Sequence, residues 1–244
     1  RVKQFDTSSF PHTALGQLIM DGSTCSGSLI GPQHVLTAAH CIYDQNDNMF
    51  KKYVLFAPGR VDGEFHHGLY TVTDIYMPKE YATTQFNGTA DVAILKLALP
   101  AGERQGWLGY AKTKPIPSAT LQEINQTVFA NVDTSDGIQS HEDEIINSAI
   151  DDLVYQYPEF KVTYMGYSGD KDDEMWADSC LYMYSGTPEG ERYGLVKGFC
   201  DSQGGSSGSG YFGDDFYIIS INSFTSSGDK NFIRDADGNK TSFI

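Results

Sequence analysis

Leu36-Thr37-Ala38-Ala39-His40-Cys41 is preceded, sixteen residues before its cysteine, by Cys25-Ser26-Gly27-Ser28-Leu29-Ile30. Each stretch is a short apolar or small-residue run bounded by turn residues, the pattern of a β-strand in an antiparallel sheet. Working outward, the same rhythm covers Ala14–Met20, Ser26–Ile30, His34–Thr37, Tyr53–Ala57, Tyr70–Tyr76 and Val92–Lys96. Asp21-Gly22-Ser23 between the first two runs is a hairpin signal. Strands at this spacing suit a small antiparallel barrel.

The rhythm lapses after Pro100 and resumes at Phe160–Tyr167, Ser179–Tyr184, Gly194–Phe199, Gly210–Phe212, Phe216–Asn222 and near Phe232. A second β-barrel is expected there. Between them, Ile145, Ile146, Ala149, Ile150, Leu153 and Val154 recur at helical spacing. Ser140 is placed to cap that helix, with Asp143 and Glu144 in its first turn. The expectation is therefore an all-β chain of two six-stranded antiparallel barrels with an inserted acidic helix. Its parts are an N-terminal barrel over 1–105, a linker with the helix over 106–160 and a C-terminal barrel over 161–244.

The chain has 244 residues and a formal net charge of −15. Such a surface repels polyphosphates and anionic lipid, so neither nucleic acid nor a membrane is an expected partner. No segment reaches the roughly 20 consecutive apolar residues that a spanning helix needs. The opening Arg1-Val2-Lys3-Gln4 is not a signal peptide and reads as the start of a mature or trimmed product. Four cysteines fit two disulfides formed in an oxidising compartment, and their spacing is not that of a zinc site. Sequons at Asn87, Asn125 and Asn239 are compatible with secretion.

Three residue settings point to chemistry. His40 stands after two small alanines. Asp91 heads the apolar run Val92-Ala93-Ile94-Leu95-Lys96-Leu97, where a buried carboxylate needs a partner. Ser207 lies within Gly205-Ser206-Ser207-Gly208-Ser209, whose glycines allow two amides to converge on one point. A serine becomes a nucleophile when a base removes its proton, and a carboxylate holds that base in the right tautomer. His12, His34, His66, His67 and His141 lack such settings and are read as structural.

The order His40, Asp91, Ser207, with Leu-Thr-Ala-Ala-His-Cys and Gly-x-Ser-Gly around its ends, resembles the chymotrypsin-like serine endopeptidases. It differs from the order Ser, acid, His of α/β-hydrolases. The resemblance covers most of 14–97 and 161–225. It implies a secreted monomer that hydrolyses peptide or protein substrates through an acyl-enzyme, with no metal or organic cofactor. It also implies an oxyanion hole from the N–H groups of Gly205 and Ser207, a disulfide between Cys25 and Cys41 around the histidine, and a second between Cys180 and Cys200.

Within that family, Gly166-Tyr167-Ser168-Gly169-Asp170-Lys171 resembles the Gly-Tyr-Pro-Gly-Asp-Lys segment of bacterial glutamyl endopeptidases. Four departures accompany the likeness. Ser206 stands where digestive relatives carry the aspartate that binds a newly freed α-amino group, so activation by prosegment removal that uncovers the cleft, or a constitutive site, is expected instead. Asp201 and Ser202 occupy the place of the carboxylate pocket that binds Arg or Lys, yet some glutamyl enzymes carry Asp-Thr there. Asn222 takes the place of the histidine that selects Glu, followed by Ser223-Phe224, which resembles a pair that binds substrate backbone. Arg or Lys preference leads, with Glu and a broad or apolar preference as alternatives. Finally, Arg234-Asp235-Ala236-Asp237-Gly238-Asn239 replaces the family's terminal helix and reads as a solvated turn, lacking the full ligand set of a calcium loop.

Overall fold

The computed structural model describes residues 2–3, 6–84, 90–111, 161–171, 173–184, 196–198, 200, 202–213, 215–223, 233–234 and 240–241. Its first half is a closed barrel of six strands. A short strand, β1 (Val2–Lys3), comes first and belongs elsewhere; β2 (Leu15–Met20), β3 (Ser23–Leu29) and β4 (His34–Thr37) follow. The small hairpin β5 (Tyr43–Asp44) and β6 (Met49–Phe50) branches off before β7 (Leu55–Pro58), β8 (Tyr70–Tyr76) and β9 (Ala93–Leu97). The barrel closes in the order β2-β3-β4-β9-β8-β7.

Sequence explains the closure. Met20 pairs with Ser23 across Asp21-Gly22, and Gly22 takes φ +75°, a conformation glycine adopts at little cost. Leu18, Leu29, Val35, Phe56, Leu95 and Leu97 come from five of the strands and are all fully buried in one core. Alternation fails on β2 and β3, where Gln17, Ser26 and Ser28 are buried as well. Their outward face is covered by the other half of the molecule.

That half contains β10 (Gly109–Tyr110), β11 (Lys161–Tyr167), β12 (Met175–Tyr184), β13 (Val196–Gly198), β14 (Gly210–Phe212) and β15 (Tyr217–Ile221). With β1 these form a seven-stranded sheet ordered β1-β12-β11-β14-β15-β10, to which β13 adds by pairing with β12. The described strands of this half thus make a seven-stranded sheet, with its last pair, β10 and β15, parallel. A final hairpin joins β16 (Ile233–Arg234) and β17 (Lys240–Thr241). The described helices are short, at Lys79–Thr83 and Gly102–Gln105. The helix expected between the halves falls in 112–160, outside the described residues.

The halves meet through polar groups as well as packing. The Ser26 hydroxyl accepts the Tyr167 N–H at 2.8 Å, and the Tyr167 hydroxyl donates to the Arg60 carbonyl at 3.1 Å. Arg60 bonds the Gln17 side chain and pairs with Asp173 at 3.0 Å, while Gln17 donates to Asp173 at 2.8 Å. Glycine makes the close approach possible: a Cβ on Gly166 would lie 1.8 Å from Ser209 Oγ and 2.9 Å from Ser26 Oγ.

Candidate active site

Antiparallel pairing of β4 with β9 puts Thr37 opposite Ala93. His40, three residues beyond Thr37, and Asp91, two residues before Ala93, therefore meet at the same end of the barrel. His40 sits in a single 3₁₀ turn, Ala39–Cys41, whose alanine is fully buried and whose small side chain lets the backbone pack closely. Its Nδ1 lies 2.7 Å from Asp91 Oδ2, and its backbone N–H donates to Asp91 Oδ1 at 2.8 Å. The His40 side chain is 35% exposed and that of Asp91 5%, so the ring is open to solvent while its carboxylate is not.

Burial alone pushes the Asp91 carboxyl up. The hydrogen bond and charge of His40, the Ser223 hydroxyl and the His40 N–H more than offset it, so its pKa lies below the ordinary value. An ionised Asp91 accepts the Nδ1 proton, which leaves Nε2 with a free lone pair. That is the tautomer a general base requires.

Ser207 is carried by the turn that enters β14. Its carbonyl accepts the Ser26 N–H at 2.8 Å, which ties the turn to β3 beside the Cys25–Cys41 disulfide. Cys41 Sγ lies 3.9 Å from His40 Nε2 and 3.7 Å from the Ser207 carbonyl oxygen, so one sulfur touches both groups. Among the described residues no hydrogen bond joins the Ser207 hydroxyl to His40; such bonds often tighten only with substrate present. The Cys25 and Cys41 sulfurs and the His40 ring cluster within 4.8 Å, but both sulfurs are spent in the disulfide and offer no thiolate to a metal.

Gly205 takes φ +93° and Gly208 φ +81°, so the backbone turns on both sides of Ser206-Ser207. The N–H groups of Gly205 and Ser207 have no acceptor among the described residues. A pair of neighbouring backbone donors of this kind is able to stabilise a developing oxyanion, each by on the order of 3 kcal/mol of barrier.

The other expected residues are placed as follows. Cys180 and Cys200 are joined by a disulfide. Ser202 is 1% exposed. Asp201 and Phe224 lie outside the described residues. Asn222 is buried, and its side-chain amide donates to Ser206 Oγ at 3.0 Å. Ser223, read as a substrate-backbone residue, turns its hydroxyl onto Asp91 Oδ2 at 2.5 Å. Sequence reasoning missed this third hydrogen bond on the carboxylate. It also missed Ser26, whose hydroxyl donates to the Gly205 carbonyl at 3.1 Å, and Thr37, which donates to the Ser26 carbonyl at 2.8 Å. The small polar alternation of Ser26 and Ser28 was the available signal.

Comparison with known proteins places this arrangement. The sequence model of the Trypsin family matches residues 2–142, more than half of the chain. A glutamyl endopeptidase of Bacillus licheniformis is 29% identical over 113 residues, 46% of this chain and 35% of that protein. An extracellular metalloprotease of Bacillus subtilis is 34% identical over 119 residues, 46% of this chain and 37% of that one. The chain thus spans little more than a third of the length of these curated relatives. A solved Glu endopeptidase in complex with MPD superposes with a TM-score of 0.69 at 21% identity, covering 94% of this chain and 87% of that one, a likeness of fold. The matched family, the closed barrel and the relatives agree: this chain belongs to the Trypsin family and is related to the glutamyl endopeptidases.

Proposed function

We propose that the chain is a secreted serine endopeptidase acting through His40, Asp91 and Ser207. The observation that carries this reading is the 2.7 Å contact of His40 Nδ1 with a buried, low-pKa Asp91, at the barrel end where the Ser207 turn is anchored. In the cycle, Ser207 Oγ attacks the scissile carbonyl carbon while its proton passes to His40 Nε2. The carbonyl electron pair moves onto oxygen, which takes hydrogen bonds from the Gly205 and Ser207 amides. Collapse breaks the C–N bond, and the amine leaves with the proton held by His40. Water then repeats the sequence on the acyl-enzyme and releases the acid. These steps call for no metal or organic cofactor.

In the same reading the substrate is a peptide or protein, the chain acts as a monomer, and prosegment removal uncovers a site already formed. In the same reading the second half closes into a barrel like the first, with units over 1–105 and 161–244 joined by a linker over 106–160, while β1 and β10 cross those bounds by pairing in the second half's sheet.

On the acyl side the reading favours Arg or Lys. Asp201, six residues before Ser207, supplies the anion, and Ser202 stands beside it. A preference for Glu is the second reading, supported by the names of the Bacillus licheniformis relative and the solved neighbour. Against it, Asn222 is uncharged and its amide is engaged by Ser206. Cleavage-site profiling on a mixed peptide library, with wild type beside Ser207→Ala, tests both. Cuts after Arg and Lys that vanish in the variant support the first reading. Cuts after Glu overturn it in favour of the second, and cuts without a charged preference overturn both. A folded chain that cuts nothing is a binding protein of protease shape, and the proposed activity falls.

A further inference from the structure

The Ser207 turn is gripped by contacts that the proton relay does not use. We infer that Asn222 and Ser206 form an uncharged clamp that positions this turn for oxyanion binding, a role that rests on the function proposed above.

Asn222 follows β15, is 2% exposed, and holds the turn at three points. Its carbonyl accepts the Gly208 N–H at 2.7 Å, and its own N–H donates to the Ser209 carbonyl at 2.8 Å. Its side-chain amide donates to Ser206 Oγ at 3.0 Å. Ser206 is fully buried and its hydroxyl donates to the Gln203 carbonyl at 2.5 Å, the same carbonyl that accepts its N–H at 3.0 Å. The relay Asn222 to Ser206 to Gln203 thus runs from the end of β15, past the nucleophile, to the residue before Gly204-Gly205.

The turn needs such support. Gly205 and Gly208, both at positive φ, lie on either side of the Ser206-Ser207 pair, and glycine surrenders the most backbone freedom on ordering. The unspent amides of Gly205 and Ser207 point where that backbone points, and small misplacement of such donors is expensive in rate. Asn222 Oδ1 is buried without a partner among the described residues. An apolar side chain of similar size would fill the space without that cost. What the amide adds is the bond to Ser206. No group in the relay carries charge, so the clamp needs no liberated α-amino group, consistent with a serine standing where digestive relatives place an aspartate.

The test uses Ser206→Ala and Asn222→Leu, singly and together, in the full chain, with active sites counted by fluorophosphonate titration. Each single change should lower kcat per titrated site about 10- to 100-fold. KM should stay within about twofold, because the loss is confined to the transition state. A peptide-aldehyde inhibitor, whose hemiacetal oxygen occupies the oxyanion position, should weaken by a factor similar to the loss in kcat. The double variant should be no worse than the worse single, since both remove one bond. Ser206→Thr, which keeps the hydroxyl, should recover most of the loss. Should Asn222→Leu fail to fold, Ser206→Ala alone decides. Unchanged kcat and aldehyde affinity in Ser206→Ala overturn the clamp, as do losses that simply add. A wild type that neither titrates nor cleaves overturns the function itself, and the clamp's role with it.

Discussion

Asp91 grips His40 twice: Oδ1 takes the backbone N–H at 2.8 Å, and Oδ2 faces the ring Nδ1 at 2.7 Å. Backbone and ring are therefore oriented by one carboxylate, and the Ser223 hydroxyl donates to the same Oδ2 at 2.5 Å. With Nδ1 engaged and the backbone fixed, the ring turns its Nε2 to a reaction.

Asp91→Asn preserves the shape but presents an amide that can donate to Nδ1 and favour the wrong tautomer. The expected loss in kcat is about 10⁴-fold, with the protein still folded. Steady-state kinetics on any cleaved peptide, with circular dichroism as the fold check, measures it. A loss below tenfold would remove Asp91 from the relay.

The pH dependence follows from the same carboxylate. The pKa of Asp91 is lower in the folded protein than in the open chain, where it is about 3.9. Its ionised form therefore contributes stability that is complete above the unfolded value and is lost as pH falls through the lower, folded one. Acid unfolding of wild type should steepen below about pH 4, and Asp91→Asn should show a shallower decline there. Identical acid profiles would contradict this.

Gly208 is irreplaceable on geometric grounds. It takes φ +81°, and a Cβ there would lie 2.1 Å from Thr37 Oγ1 and 2.3 Å from the Ser26 carbonyl oxygen. Gly208→Ala must displace backbone, at a cost on the order of 3 kcal/mol, and shift Ser207. A Tm lowered by several degrees together with lost activity is expected from thermal melts and assays. An unchanged Tm would mean that the turn lies elsewhere.

Cys41 links His40 to the Ser207 turn, since its sulfur contacts both His40 and the Ser207 carbonyl. Replacing Cys25 and Cys41 by alanine opens a loop with a separation of 16 residues. Loop-closure entropy puts the destabilisation at about 3 kcal/mol. Activity should fall further than the loss of folded protein explains. Denaturant melts beside active-site titration separate the two effects, and proportional losses would show the disulfide to be a staple only.

Much of this was legible because period-two alternation and turn residues are local signals. His34–Thr37, Tyr70–Tyr76 and Gly210–Phe212 stand where their patterns place them. The meeting of His40 and Asp91 was legible as well, through the motif around each. The pairing of β1 with β12, and the parallel pairing of β10 with β15, follow no local pattern, because partner choice depends on the whole sheet. Ser26 and Ser28 are polar yet 1% and 0% exposed: their alternation was visible, but not that a second sheet would cover the outer face. Ser223 reaches a carboxylate 132 positions away, and nothing beside it in sequence announces that bond.

Ser207 as the nucleophile is the central claim, and adduct mapping tests it most directly. Wild type and Ser207→Ala are treated with a fluorophosphonate, digested, and the modified residue is located by mass spectrometry while peptide hydrolysis is followed in parallel. The account predicts one adduct, on Ser207, with hydrolysis abolished in step with labelling, and neither label nor hydrolysis in the variant. Labelling at another serine, or hydrolysis that survives Ser207→Ala, would contradict it.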